Sequence, residues 1–413
     1  MSQPTHITLS GAPEGFDAQL LARELAEGVA VIHVARDDKR MEAMRAALAF
    51  MAPGVAVMTF PAWDCLPYDR ISPNPDLSAE RMATLAALAQ GMAQPFVLLT
   101  TLNAATQRVP RPAVVRDTVF RATVGGRLDE AGLRGWLARM GFSQTSTVSE
   151  PGDFAVRGGI IDIFPPGPGG PVRLDLFGDV LDGARRFDPV TQRTTEKLKL
   201  VEFAPASEVL LDEASVMRFR QAYRIEFGAA GTDDPLYEAV SAGRKHAGME
   251  HWLPFFHDGM AVLFDYLPDA AVMLDDQVTA SRLTRWEGIA DQYDTRAEAM
   301  KRRDRVSTVY KPCPPGLLYL DDAAWTDALA ARRVAQLVAL PQPTGPGVLD
   351  AGGRIGRNFA PERQIESISL FRTLADHLET RREAGQVVVA SYSEGARERL
   401  KGLLEDEDVL GMK

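Results

Sequence analysis

Cysteine is almost missing from these 413 residues: only Cys65 and Cys313 occur, far apart in the chain. Two isolated thiols exclude a disulfide framework and fit a reducing compartment. No apolar run approaches the ~18 residues that a membrane-spanning helix needs, so no membrane partner is expected. Residues 1–30 lack a charged start followed by an apolar core, so no secretory leader is expected and the setting reads as cytoplasmic. Positive charge is short as well. A formal net charge of −10 excludes a chain whose whole surface binds nucleic acid, leaving room for a local basic patch. Lysine is scarce beside arginine, whose planar guanidinium pairs with flat anions better than an ammonium does. What is present is globular in character, with 46% hydrophobic and 25% charged residues. The length exceeds one ordinary core, so roughly two to four domains are expected.

The stretch 153–188 organises the rest. Phe154–Val156, Ile160–Phe164 and Val172–Phe177 are short β-rich runs separated by glycine and proline, the pattern of consecutive antiparallel strands. In the third run Val172, Leu174 and Leu176 share one face, and Arg173, Asp175 and Phe177 share the other. A phenylalanine among charges on an outer face marks a surface built to be covered. Arg157 closes the first run beside Gly158-Gly159, where a tight turn would bring it against the third strand.

The flanks follow a different rhythm. Apolar runs at Ile7–Leu9, Val29–Ala35, Val55–Phe60 and Phe96–Thr100 alternate with helical patterns at Ala18–Leu25, Asp38–Met51 and Ala79–Ala89, which predicts an α/β body on a parallel sheet. The proline-rich stretch that begins at Phe60 reads as an extended loop with a buried Trp63. Ser78 is placed to cap the following helix, with Arg81 where a capping box has Glu. Leu128–Met140 is a helix stopped by Gly141. Asp212 and Glu213 favour the N-terminus of a helix at Ala214–Tyr223, and Leu283–Arg305 is a charged helix. Residues 343–353 read as a Pro/Gly linker. Beyond it, Ile365–Glu383, Val387–Ala390 and Glu394–Leu404 read as helix, strand and helix of a small α/β unit.

Chemistry is hard to place. The strand–turn–helix at the start is where a phosphate-binding loop sits in a nucleotide-binding domain. Such a loop needs Gly, four residues, Gly, Lys, then Ser or Thr. Here Gly11 and Gly15 enclose three residues, and Phe16 and Asp17 replace the cation and the hydroxyl. An aspartate there repels phosphate, so neither ATP nor another cofactor is expected. A buried strand at Ala271–Leu274 ends in Asp275-Asp276, which mimics a magnesium-binding strand end but has no phosphate loop to serve. His246, His251 and His257 are spaced by five and six residues, which matches no zinc pattern, so no metal is expected.

Several of these segments, taken together, resemble a known family. Phe154–Phe164 with Val172–Asp179 is similar to the inserted domain shared by the excision-repair protein UvrB and the bacterial transcription-repair coupling factors, the Mfd family. Phe264–Asp276 is similar to the second nucleotide motif of UvrB, with Asp276 in place of its Glu. Trp63-Asp64-Cys65-Leu66-Pro67-Tyr68-Asp69, followed by Ser72-Pro73 and Asp76, resembles the coupling factors in particular; the tyrosine-rich hairpin of UvrB is missing. The resemblance implies the N-terminal, UvrB-like region of such a factor. Its fold would be α/β: a degenerate RecA-like, UvrB-like parallel-sheet domain (1–120 and 205–342) with an inserted α+β domain (121–204), then the linker and a small C-terminal α/β domain (354–413). It implies no ATPase activity in this region and an inserted domain that binds UvrA through Arg157, Arg173 and Phe177. RNA polymerase and double-stranded DNA would be met by motor and polymerase-binding domains C-terminal to it. The alternative is an active UvrB-type DNA-dependent ATPase or helicase.

Overall fold

The computed structural model describes residues 6–92, 94–228, 234–302, 310–365 and 367–409. It divides into two units, Met1–Gly353 and Arg354–Lys413.

The first unit is built on a seven-stranded parallel sheet. Its strands are β1 (His6–Ser10), β2 (Val31–Ala35), β3 (Val57–Phe60), β4 (Val97–Thr101), β13 (Ala271–Leu274), β14 (Val334–Val338) and β15 (Val348–Asp350), in the order β15-β1-β14-β13-β2-β4-β3. β2 is buried at every position. Its unbroken run Val-Ile-His-Val-Ala is what a parallel strand covered on both faces requires. On one face Ile32, Val34, Leu98 and Val272 pack with Met82 and Leu85 of the helix Pro75–Gln90. On the other, Val31, Leu99 and Met273 meet Leu21 of α1 (Phe16–Ala26) and Met44 and Leu48 of α2 (Asp38–Met51). This is the α/β body that the alternating apolar runs and helical patterns predict. Aromatic side chains from the later helices, among them Phe219, Tyr223, Trp252 and Phe256, form a further cluster with Tyr68.

Between the two halves of this body lies the strand-rich segment. β5 (Phe120–Thr123) pairs antiparallel with β12 (Leu200–Phe203). Between them β6 (Ser143–Gln144), β7 (Asp153–Arg157), β8 (Ile160–Ile163), β9 (Val172–Phe177), β10 (Val180–Phe187) and β11 (Thr194–Leu198) form a six-stranded sheet in the order β11-β10-β9-β8-β7-β6. Its inner face, carrying Ile161, Ile163, Val172 and Leu174, packs on Leu133 and Leu137 of the helix Glu130–Arg139.

Local readings shift in four places. Asn74, not Ser78, caps the helix Pro75–Gln90: its side chain accepts the Asp76 N–H, and Pro75 takes the first helical position, where a missing N–H costs nothing. In the loop before it Tyr68 is the fully buried aromatic, while Trp63 is half-buried. Residues 343–353, expected as a linker, contribute β15 to the open edge of β1, because an edge strand offers unpaired N–H and C=O groups. In the second unit the helices Leu370–Ala384 and Glu394–Glu405 are present, but among the described residues Val387–Ala390 has no strand partner. Leu378, Leu404 and Val409 hold this unit's small core. Among the described residues no helix is long and apolar enough to cross a membrane. Of the charged helix, Val278–Arg302 is observed; residues 303–305 lie outside the described ones.

Candidate functional site

Cross-strand register decides which side chains share the outer face of the six-stranded sheet. Arg157 pairs with Ile160, Ile160 with Asp175, Asp162 with Arg173, and Arg173 with Arg185. Paired residues point the same way, so Arg157, Ile160, Asp162, Arg173, Asp175 and Phe177 all belong to one face.

Phe177 ends β9 and is 82% exposed. Arg157 ends β7 with its side chain 49% exposed; its Nη2 donates to Ser146 O at 3.1 Å and lies 3.9 Å from Asp162 Oδ2. Arg173 differs in state. Only 19% exposed, it is clamped side-on by Asp162, with Nε to Oδ1 at 2.7 Å and Nη2 to Oδ2 at 2.9 Å. Its guanidinium also lies 4.9 Å from the centre of the Phe187 ring. Phe187 belongs to a small second cluster with Val148 and Ala155, which covers part of this face. Arg157 and Arg173 are therefore on one face, yet β8 separates their strands, so the turn at Gly158-Gly159 does not bring Arg157 against β9 as expected. What joins the two arginines is Asp162, a residue that sequence reasoning passed over. The signal was there: Ile-Ile-Asp-Ile carries one charge inside an apolar strand. Ile160, 38% exposed, adds apolar surface between Arg157 and Asp175. Asp175 pairs with Arg185 at 2.5 Å.

The other place where chemistry was sought is the end of the parallel sheet. Gly15 precedes α1 at a positive φ, and the amides of Gly15 and Ala18 donate to Asp17 Oδ1 at 2.9 and 2.8 Å. Helix-start amides of this kind otherwise serve a phosphate. Buried Arg40 donates through Nη2 to Asp17 Oδ2 and through Nε to Asp275 Oδ1 at 3.2 Å. Arg36 joins Asp275 at 3.5 Å and Glu14 at 2.8 Å. Burial pushes the carboxyls of Asp17 and Asp275 up while Arg40 pulls them down, and burial prevails in both. Backbone closes the loop from above: Ala351 N donates to Ser10 O, and Gly353 N to Gly11 O, at 2.8 and 2.9 Å. The cationic and amide groups of this corner are thus spent on the protein's own carboxylates.

The remaining residues singled out by sequence sit in packed positions. Asp212 caps the helix Glu213–Phe227 by accepting the Ser215 N–H. His257 Nε2 lies 2.9 Å from Glu208 O, and His251 stacks on Tyr68, 6.5 Å between ring centres. His246 is half-buried, its Nδ1 2.8 Å from Ala247 O. Among the described residues no group of three His, Cys, Asp or Glu is arranged to hold a metal ion. The segment 63–69 turns on Tyr68, whose ring lies among His251, Tyr293 and Tyr319.

Residues 120–209 match the model of the UvrB interaction domain. That span begins at β5, ends just past β12 and contains the whole outer face described above. Beyond it, the chain is similar to transcription-repair-coupling factors: 33% identical over 403 residues to that of Myxococcus xanthus, covering 92% of this chain and 33% of the relative. The protein from Escherichia coli strain K12 is 32% identical over 352 residues, 84% of this chain and 29% of its own length. That of Haemophilus influenzae is 32% identical over 276 residues, 66% of this chain and 24% of its own length. Most of the chain thus resembles transcription-repair-coupling factors. It spans about a third of the length of the curated relatives it matches. The sheet face with Phe177 lies within the stretch that matches the UvrB interaction domain.

Proposed function

We propose that this chain is the UvrA-recruiting, UvrB-like module of a transcription-repair-coupling factor and carries no ATPase activity of its own. One observation supports the recruiting role above the others: within the matched domain a phenylalanine stands 82% exposed at the end of a strand, on the same face as a half-exposed arginine. Burying an aromatic side chain beside a guanidinium is the composition of an interface hot spot. Arg157 would meet a carboxylate on UvrA, Phe177 would enter an apolar pocket, and Arg173 would support the face from beneath. In the whole protein, RNA polymerase and double-stranded DNA would be engaged by other domains.

The test is titration of purified UvrA with Arg157→Ala and Phe177→Ala, with circular dichroism as the control for fold. Each truncation should cost roughly 2 kcal/mol or more, about thirtyfold in Kd. Added salt should slow association, since the encounter is steered by charge. Undiminished binding by the triple variant Arg157→Ala, Arg173→Ala, Phe177→Ala would refute the assignment. The competing reading is an active UvrB-type ATPase. It requires a phosphate to displace Asp17 from Arg40 and from the amides of Gly15 and Ala18. Calorimetric titration with magnesium-ATP should give no heat of binding; micromolar affinity would favour that reading instead.

A further inference from the structure

We infer that Asp162 is a positioning residue for this face, holding Arg173 in the geometry in which it supports what a partner reads; the inference rests on the UvrA reading above. Asp162 lies in the middle of β8 and is buried, yet both its oxygens are engaged from the outer face. It reaches arginines on the strands to either side of it, at 2.7 and 2.9 Å to Arg173 and 3.9 Å to Arg157.

Stability alone does not account for a carboxylate here. β8 is already held to β9 by backbone register from Ile160–Asp175 to Ile163–Val172, and Ile161 and Ile163 supply its contribution to the core. A buried ion pair seldom stabilises more than apolar side chains of the same volume. What the carboxylate adds is direction. An arginine side chain is long and rotamer-rich, and immobilising it on binding costs affinity unless the work has been done beforehand. The side-on clamp, with the Phe187 ring against the guanidinium, leaves Arg173 a single geometry. The balance of charge points the same way. Asp162 and Asp175 face Arg157, Arg173 and Arg185, so one positive charge is left over. It falls to Arg157, which has the weakest hold on a carboxylate and the greatest exposure of the three.

The neutral isostere Asp162→Asn separates orientation from charge. Losing a negative group raises the local positive potential, so association with an acidic partner should be as fast or faster. A loosened Arg173 should speed dissociation, giving binding about tenfold weaker, the scale of re-immobilising one long side chain. The effect should pass through Arg173: Asp162→Asn added to Arg173→Met should weaken binding by less than about twofold. The measurement is the rate of association and dissociation of UvrA with Asp162→Asn, Arg173→Met, the double variant, Arg157→Ala and Phe177→Ala. Loss of binding in the last two with Asp162→Asn unaffected overturns this inference and leaves the UvrA reading standing. So does an equal loss from Asp162→Asn in the Arg173→Met background. Unchanged binding in every variant overturns the UvrA reading and this inference together. Should the Asp162 variant fail to fold, the wild-type chain decides: the Arg173 Nε–H, bonded to Asp162, should exchange slowly with solvent by nuclear magnetic resonance, and rapid exchange overturns the inference.

Discussion

Arg81 shows how far a single residue can be read before its partners are known. By position it is a failed capping box. In the fold it is fully buried, with Nε and Nη2 on Glu208 at 2.6 and 3.2 Å, Nη1 on Pro61 O at 2.7 Å, and its guanidinium 4.2 Å from the Phe60 ring centre. It ties the part of the body before the inserted segment to the part after it. Arg81→Met should cost about 3–5 kcal/mol, because Glu208 is then left buried without its counter-charge. Urea unfolding followed by circular dichroism measures this; a loss below about 1 kcal/mol would place the pair's weight elsewhere. The same limit governs the sheet face. Alternation along Val172–Phe177 was enough to separate Leu174 from Arg173, since side-chain period in a strand is a local property. That Arg173 spends its guanidinium on Asp162 depended on the register of two strands eleven residues apart, which no single strand reveals.

Among the elements, β15 is the instructive case. A Pro/Gly-rich stretch has the same composition whether it hangs free or lies along a sheet. The open edge of β1 settles the matter, together with Gly11, at φ +71°, where an added Cβ would stand 2.9 Å from Gly353 O. Gly11→Ala should therefore destabilise by about 1–3 kcal/mol, from the left-handed backbone and the crowded carbonyl together. An unchanged urea midpoint would count against that packing. Parallel-sheet elements were legible because their apolar runs are nearly continuous: β13 falls where the sequence places it, and β2 occupies Val31–Ala35 of the run expected at Val29–Ala35. Val387–Ala390 was not, despite its valines. Strand propensity describes fit to a sheet, and among the described residues no neighbouring strand is there to receive it.

For the whole molecule, two measurements follow. The unit boundary at Gly353 and the exposed coil after it should make Arg354 and Arg357 the first tryptic sites. First cuts between Val156 and Leu176 would contradict the sheet. Acid should also weaken the fold. Burial pushes His33 down to about 3 and His251 down to about 4, and lowers His257 too. Depressed histidines stay neutral in the fold and accept protons once unfolded. Their contribution is intact above the ordinary value of 6.5 and falls away as pH drops from there towards 4. The raised carboxyls of Asp17, Asp275 and Glu250 act in the opposite sense and offset part of the loss. His33 has no hydrogen-bond partner at either ring nitrogen among the described residues, so His33→Leu should shift the acid midpoint to lower pH; a midpoint that rises instead would give His33 a stabilising role. Finally, β5 and β12 lie side by side, with Phe120 opposite Phe203 and their rings stacked at 5.9 Å. The chain sets out on its excursion and comes home through one gate. The body also reaches the end of the insert's helix: Leu211 N donates to Arg139 O at 3.0 Å, and Lys245 Nζ to Gly141 O at 2.7 Å. Such a segment is a cassette: the side chains of its outer face can be rewritten while its two joined ends stay as they are.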